Sequence, residues 1–479
     1  MRRTKIVCTI GPASEDEAIL RQMILRGMDV ARINFSHVEC DQYDWVRALV
    51  SRIRDVAAAE GHIVAVLQDL QGPRLRVGGL EVPEVLLEPG RQIILTTRDV
   101  PGNADAVHVE YQSLPQDVQP GEVILISDGE IELRVDSITD TDVICSIIDG
   151  GILRPHKGIN LPGMTISAPT ITEKDRRDVQ FGVAIGVDFV ALSFVRQAAD
   201  VVTLKKIIAE AGAATPVIAK IEKHEAISNF DDILAASDGI MVARGDLGIE
   251  MPSEEVPLLQ KMIIAKSRAA AKPVITATQM LESMIASPRP TRAEVSDVAN
   301  AIFDGTDAVM LSGETAAGKY PVDSVATMSR VAETTEKALP YGEYVASRRL
   351  ARAATVTDAI AEATCEIAFD LDVKAIITST ASGRTARVVA RHRPSAPIFA
   401  ITPRESTQRQ LTLVWGVRPL LAADCNSLDE MINSSVSRVQ AESFVADGDM
   451  VVITAGVTVG RTGATNLLKV HIVGEDVRM

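Results

Sequence analysis

The chain has 479 residues, 46% of them hydrophobic and 24% charged, with a formal net charge of −15. That balance belongs to a globular protein with ample core, and the length predicts roughly three domains. The negative charge argues against nucleic acid or an anionic membrane as the main partner, though basic residues in a cleft still leave small anionic substrates open. Five scattered cysteines without CxxC spacing predict reduced thiols and a cytoplasmic protein, not a disulfide framework or a zinc site. The opening MRRTKIVCTIGPAS runs almost at once into a strand. No apolar run of about 20 residues appears, so neither a signal peptide nor a membrane span is expected.

In chain order the strand candidates are KIVCTI (5–10), DVARINFS (29–36), IVAVLQDL (63–70), VDFVALSF (187–194), PVIAKIE (216–222), GIMVARGD (239–246), KPVITATQ (272–279) and DAVMLSGE (307–314). Amphipathic helical stretches separate them. Nearly continuous apolar strands between helices predict a parallel sheet covered on both faces. Eight such units predict a closed (β/α)8 barrel over an open sheet.

Nearly every strand ends in polar residues: Arg32, Asn34 and Ser36; Asp69; Ser193; Lys220 and Glu222; Asp246; Thr278; Ser312 and Glu314. Helix N-caps are the alternative reading, and they would account for Ser312. They do not account for Lys220, Glu222 or Arg32, so an active rim at the C-terminal ends of the strands is expected.

Residues 73–161 break the alternation with β-like runs and turns: GGLEVPEV, RQIILTT, GEVILISDGEIELRV and DVICSII. Asp128-Gly129 between apolar runs predicts a hairpin. A small β-barrel-like domain inserted in the barrel is expected here, bounded by Gly72-Pro73 and Asn160-Leu161-Pro162-Gly163. Hinges at both junctions would suit a lid over the rim, with a passive insertion as the alternative. The barrel then comprises 1–72 and 162–340. A polar helical stretch (324–352) leads to a C-terminal α/β domain over 353–479, with strands VKAIITST (373–380), APIFAIT (396–402), DMVVITAG (449–456) and NLLKVHIVG (466–474). No internal repeat is visible.

Lys220 and Glu222 lie two apart, so on a strand they share a face. With Asp246 one βα unit later, an amine and two carboxylates converge on one rim. Two carboxylates with room for water suit a hard cation such as Mg²⁺. A lysine beside that metal suits a reaction that moves negative charge, such as phosphoryl transfer.

RRTKIVCTIGPAS at 2–14, ARINFSH at 31–37, GINLPG at 158–163, AKIEKHEAISNFDDIL at 219–234 and ARGDLG at 243–248 together resemble the pyruvate kinases. So do ATQMLESM at 277–284 and PTRAEVSDVANAIFDGTDAVMLSGETAAGKYP at 290–321. The resemblance runs nearly end to end and is weakest in the insertion. It implies Mg²⁺-dependent transfer from phosphoenolpyruvate to ADP, giving pyruvate and ATP in the final step of glycolysis. Mn²⁺ is a possible substitute, and a homotetramer is the family's usual assembly.

By position, the resemblance makes Glu222 and Asp246 the Mg²⁺ ligands. The amides of Gly245 and Asp246, with the Thr278 hydroxyl, would hold the substrate carboxylate. Lys220, with Ser193 near it, would face the moving phosphoryl and then the enolate oxygen, and Arg32 would bind phosphate. Arg76 and Lys157 resemble nucleotide-phosphate contacts, with Asn34 and His37 nearby. The donor of the proton to the enolate carbon stays open between Thr278 and water. The loop Ser379, Thr380, Ser382, Gly383, Arg384 and Thr385 resembles a site for a phosphorylated allosteric effector, a sugar phosphate or AMP. The loop from Gly456 to Asn466, with Gly460 and Gly463, resembles its second wall; an ordinary N-cap turn is the alternative.

One stretch departs from the common pattern. Many members hold K⁺ with residues like Asn34, Ser36 and Asp69 and a threonine, in a segment reading DTKGPEIRTG. This chain reads Asp69-Leu70-Gln71-Gly72-Pro73-Arg74-Leu75-Arg76-Val77-Gly78, which resembles the K⁺-independent branch. A fixed Arg74 guanidinium would supply the charge that K⁺ supplies elsewhere, the alternative being an ordinary exposed lid residue. The rival functions are a lyase or aldolase acting on a pyruvate enolate and a non-catalytic metabolite sensor. The insertion, Arg32 and Lys157 speak against the lyase. Intact Lys220, Glu222, Asp246 and Thr278 speak against the sensor.

Overall fold

A computed structural model describes residues 2–73, 75–348, 355–425, 427–456 and 465–475. Eight strands close a barrel: β1 Lys5–Thr9, β2 Val30–Asn34, β3 Ala65–Asp69, β4 Phe189–Leu192, β5 Val217–Ile221, β6 Gly239–Ala243, β7 Val274–Ala277 and β8 Ala308–Leu311. Every neighbouring pair runs parallel, β1 pairing with both β2 and β8. Val7, Leu67, Ile218, Met241, Ile275 and Met310 fill the interior. Ile6, Cys8, Val66, Val190, Val242 and Val309 point outward into the core shared with the helices. This is the period-2 alternation of a barrel buried on both faces.

Each predicted barrel strand is present, trimmed at its ends, and two trims matter. Residues 244–246 were expected in β6, but the chain turns at once into the helix Arg244–Glu250. The run Arg244-Gly245-Asp246 has no β-branched residue to favour extension. Asp246 therefore sits in the first helical turn, where its charge complements the helix dipole. Residues 313–316 likewise leave the last strand for a helical turn.

A fourfold recurrence underlies the barrel. Asp29, Asp188, Asp238 and Asp307 each precede an even strand and donate their backbone N–H to Ile6, Val66, Val217 and Val274 carbonyls of the preceding odd strand. Each carboxylate accepts the N–H of that same residue at 2.8–3.1 Å. The repeat is one aspartate per βαβα unit, too sparse to show in sequence.

The insertion builds a seven-stranded sheet and a two-stranded one over its own core, which includes Ile93, Leu95, Ile124, Leu133 and Val143. The Asp128-Gly129 hairpin is present, pairing Val123–Ile126 with Ile131–Ile138 antiparallel. Ser127, Asp128 and Gly129 all have positive φ, the backbone that a tight hairpin turn demands.

The C-terminal sheet has five strands in the order Val417–Leu421, Ile398–Thr402, Ala375–Ser379, Met450–Ala455, Leu467–Ile472. The first of these was not predicted, because Pro419 interrupts its pattern. It is an edge strand, where proline is tolerated. The stretch expected as one helix over 324–352 is two, Pro321–Glu336 and Tyr341–Arg348, parted before Pro340; 349–352 lie outside the described residues. None of the five cysteines is in a disulfide with another of them. Among the described residues no helix is long and apolar enough to cross a membrane.

Candidate active site at the barrel rim

Lys220 is the penultimate residue of β5, and Glu222 follows the strand directly. The Lys220 Nζ lies 2.7 Å from Glu222 Oε1 and 3.4 Å from Asp69 Oδ1, and donates to Ser193 Oγ at 2.8 Å. Ser193 in turn donates to the Leu70 carbonyl. Burial opposes the ammonium, but Asp69, Glu222 and Asp246 outweigh it and hold the pKa above the usual lysine value. Lys220 is therefore a fixed positive charge, suited to stabilise an anion and unsuited to act as a base.

Arg32, the middle residue of β2, places Nε 2.6 Å from Asp69 Oδ2 and donates to Thr9 Oγ1 at 2.8 Å. Asp69 is 1% exposed. Burial works against its charge, yet Lys220 and Arg32 hold its carboxyl below the usual carboxylate range. Its Oδ1, beside the Lys220 ammonium at 3.4 Å, has no hydrogen-bond partner.

A cavity of about 210 Å³ collects Arg32, Asn34, Ser36, Gln71, Ser193, Lys220, Glu222, Asp246, Thr278 and Ser312. Asp69 pairs with Arg32 and Lys220 without lining the cavity, and Glu314 is buried, accepting the Leu281 and Ser312 amides. Most of the expected rim is thus one place. Ser312 also belongs to it: it precedes the turn Gly313–Ala316 without a side-chain capping bond, so the capping explanation fails there too. Glu222 Oε2 accepts the Phe194 amide at 2.8 Å. Phe194 and Thr278 both have positive φ, strained conformations that cluster at functional sites. The Gly245 amide donates to Thr278 Oγ1 at 2.8 Å, and that hydroxyl donates to the Ala277 carbonyl. Two of the groups expected to hold a carboxylate are therefore engaged with each other here.

A second cavity of about 220 Å³ adjoins the first, sharing Phe194 and Asp246. Arg76, Asp128, His156 and Lys157 from the insertion line it, together with Lys223 from the barrel. Arg76 donates to the His156 carbonyl at 2.9 Å. His37 is exposed on the turn Phe35–His37 and lines neither cavity; Asn34 lines the first. Sequence reasoning missed Gln71, Phe194, Asp128 and Lys223. Lys223 is the one with a signal, since it directly follows the rim pair. It is buried, and its Nζ pairs with Glu250. Arg74 lies outside the described residues.

Among the described residues no three His, Cys, Asp or Glu side chains form a metal cluster. Glu222 and Asp246 supply hard oxygen donors on one cavity wall. That donor set fits Mg²⁺, which keeps waters and substrate oxygens in its shell and needs few protein ligands.

In the C-terminal domain Ser379 ends its strand and Gly383, with φ +75°, leads into the helix Arg384–Ala390. A Cβ at Gly383 would come within 3.0 Å of Arg387 and Leu411 side-chain atoms. The Thr385 and Thr465 hydroxyls hydrogen-bond at 2.7 Å, which ties this loop to the end of the late loop. Thr380 and Thr385 are buried. Gly460 and Gly463 lie outside the described residues.

A (β/α)8 barrel with a cationic, carboxylate-bearing rim and an adjoining basic cavity defines an enzyme that handles anionic substrates. The model of the pyruvate kinase barrel domain matches residues 1–325, and that of the pyruvate kinase alpha/beta domain matches 358–471. A pyruvate kinase of Geobacillus stearothermophilus is 48% identical over 99% of this chain and 81% of its own length. One of Staphylococcus aureus is 46% identical over all of this chain and 81% of its own. The crystal structure of a pyruvate kinase from Cryptosporidium parvum superposes with TM-score 0.92 at 39% identity, covering 98% of this chain and 96% of that one. The chain belongs to the pyruvate kinase family and is a phosphotransferase.

Proposed function

We propose that the chain transfers the phosphoryl group of phosphoenolpyruvate to ADP, yielding pyruvate and ATP, as a cytoplasmic enzyme of glycolysis. The observation that carries this reading is the pair of adjoining cavities meeting at Asp246 and Phe194, one rich in rim charge and one basic. Phosphoenolpyruvate occupies the rim cavity and ADP the cavity under the insertion. Arg32 binds the phosphoryl group, and Thr278 with the Gly245 and Asp246 amides orients the carboxylate. Arg76 and Lys157 position the nucleotide phosphates, with Asn34 and His37 toward the same end.

Glu222 and Asp246 would hold Mg²⁺, or Mn²⁺ in its place, and the ion would supply positive charge to offset that of the phosphoryl group. As the bond from phosphorus to the enol oxygen breaks and a bond to an ADP oxygen forms, Lys220 stabilises the enolate oxygen where charge develops. Protonation of the enolate carbon then completes pyruvate. The barrel of 1–72 and 162–340 carries the rim, and the inserted domain of 73–161 serves as its lid. The domain of 353–479 takes a phosphorylated effector at the loop Ser379–Thr385, and the enzyme is a homotetramer.

Arg74 takes the role of the K⁺ that relatives hold with residues like Asn34, Ser36 and Asp69. The buried Asp69 carboxylate, which already faces Arg32 and Lys220, supports a preference for cations there. The test is a coupled assay of pyruvate formation with phosphoenolpyruvate, ADP and Mg²⁺. Turnover that requires ADP supports the proposal; pyruvate formed without ADP favours a lyase, and no turnover favours a sensor.

A further inference from the structure

Two of the four strand-entry aspartates are joined to the C-terminal domain: Asp188 to Arg409 at 2.7 Å and Asp307 to Arg393 at 3.1 Å. Asp238 is not; its ion pair is with Lys205 of the barrel itself. At that unjoined corner a cavity of about 450 Å³ opens between the underside of the barrel and the helix Arg384–Ala390. It is more than twice the volume of either rim cavity.

The cavity is cationic. Lys272, Arg384, Arg387 and Arg391 line it, against Asp238 and Asp358. Asp358 is taken by Arg391 at 2.7 Å. Among the described residues Lys272, Arg384 and Arg387 have no carboxylate within 4 Å; Lys272 donates to the Ala235 carbonyl and Arg387 to the Ser382 carbonyl at 3.2 Å. Burial pushes the pKa values of Lys272 and Arg387 down, and Asp238 does not restore them. Desolvated cations without counter-charge are costly unless something anionic completes them. Pro216, Pro273 and Val414 add apolar wall, and the volume exceeds what a single phosphate group fills.

We propose that this cleft binds an organic phosphate monoester, its dianion between Lys272 and Arg387, with the exposed Arg384 shared with the Ser379–Thr385 loop, and its compact apolar body against Pro216, Pro273 and Val414. The site is on the face opposite the rim, so its ligand is regulatory and not a substrate. It lies between the barrel and the C-terminal domain at a corner where, among the described residues, the link is the hydrogen bond from Arg391 to the Ala269 carbonyl and not an ion pair.

The test is calorimetric titration of the full chain with phenyl phosphate and with inorganic phosphate. Phenyl phosphate should bind more tightly than inorganic phosphate. Arg387→Met and Lys272→Met should each weaken it by at least about tenfold. Arg32→Met at the rim and Thr380→Ala in the Ser379–Thr385 loop should leave it unchanged. Lys272 is half-buried, so its variant keeps the test decisive where Arg387→Met fails to fold. Absence of binding, equal affinity in the folded cleft variants, inorganic phosphate matching phenyl phosphate, or loss in Arg32→Met or Thr380→Ala would each overturn the proposal.

Discussion

Asp69 stands between the two cations of the rim, its Oδ2 2.6 Å from Arg32 Nε and its Oδ1 3.4 Å from Lys220 Nζ. It comes from β3, while Arg32 and Lys220 come from β2 and β5. One buried carboxylate thus sets the spacing of the two groups proposed to grip the phosphoryl.

Asp69→Asn should therefore damage both function and stability. Removing one partner of a buried pair costs about 3–5 kcal/mol, because the remaining charges stay buried. The Asp69 carboxyl is held below its usual range, so it is charged in the folded state at acidities where the unfolded chain already protonates. Its contribution is present above the unfolded pKa of about 4 and is lost as pH falls through the lower folded value. Urea midpoints of wild type and Asp69→Asn should differ by a constant amount from pH 7 to about 5 and converge only in stronger acid. Convergence already near neutrality would contradict the arrangement.

Lys220→Met keeps the volume and removes the charge. Loss of one preorganised electrostatic group costs roughly a hundred- to thousandfold in kcat. Turnover in the coupled assay should drop by about that factor, while Mg²⁺ titration of the variant still shows binding through Glu222 and Asp246. A variant retaining near wild-type kcat would remove Lys220 from the chemistry.

Arg74→Glu tests the cation requirement. Wild-type activity should survive replacement of K⁺ by tetramethylammonium, since a covalently fixed guanidinium needs no salt to supply it. Arg74→Glu should be nearly inactive in tetramethylammonium and regain activity with K⁺. A wild-type enzyme that already stalls without K⁺ would overturn the substitution of arginine for the ion.

The barrel was legible because eight apolar runs recur with helical spacers, and hydrophobic periodicity survives without any alignment. Lys220 and Glu222 were legible for a local reason: two apart on a strand means one face. Asp246 was found in the right place but on the wrong element, since strand and helix compete over Arg244-Gly245-Asp246 where no side chain decides. Val417–Leu421 was hidden by Pro419, whose effect depends on whether the strand is at an edge. Phe194 and Gln71 owe their positions to long-range closure of the barrel, which leaves no local signature, whereas Lys223 had one in directly following Glu222. The resemblance to pyruvate kinases carried the individual roles, which spacing alone did not assign.

Asp307 extends the argument from the rim to the joint between domains. Its Oδ1 accepts from Arg393 and from the Trp415 amide, each at 3.1 Å, and its Oδ2 accepts the Val274 amide. Arg393 also lies over the Trp415 ring, 4.8 Å from its centroid, and is 3% exposed. Leu413, two residues before Trp415, packs with the barrel's interior residues. The C-terminal domain is therefore seated on the barrel through a buried polar group beside an apolar plug. Asp307→Ala should cost about 3–5 kcal/mol, because it strands a buried guanidinium as well as two amides. Arg393→Met should cost less, since Asp307 keeps its amide partners. A double-mutant cycle should show the pair coupled by about 1–3 kcal/mol in denaturant melts. Strict additivity would mean that the guanidinium is held by its contacts with the Gly305 and Ala390 carbonyls and not by the aspartate. In that case the recurring aspartate would serve only to close the barrel's own strands, as Asp29, Asp188 and Asp238 also do.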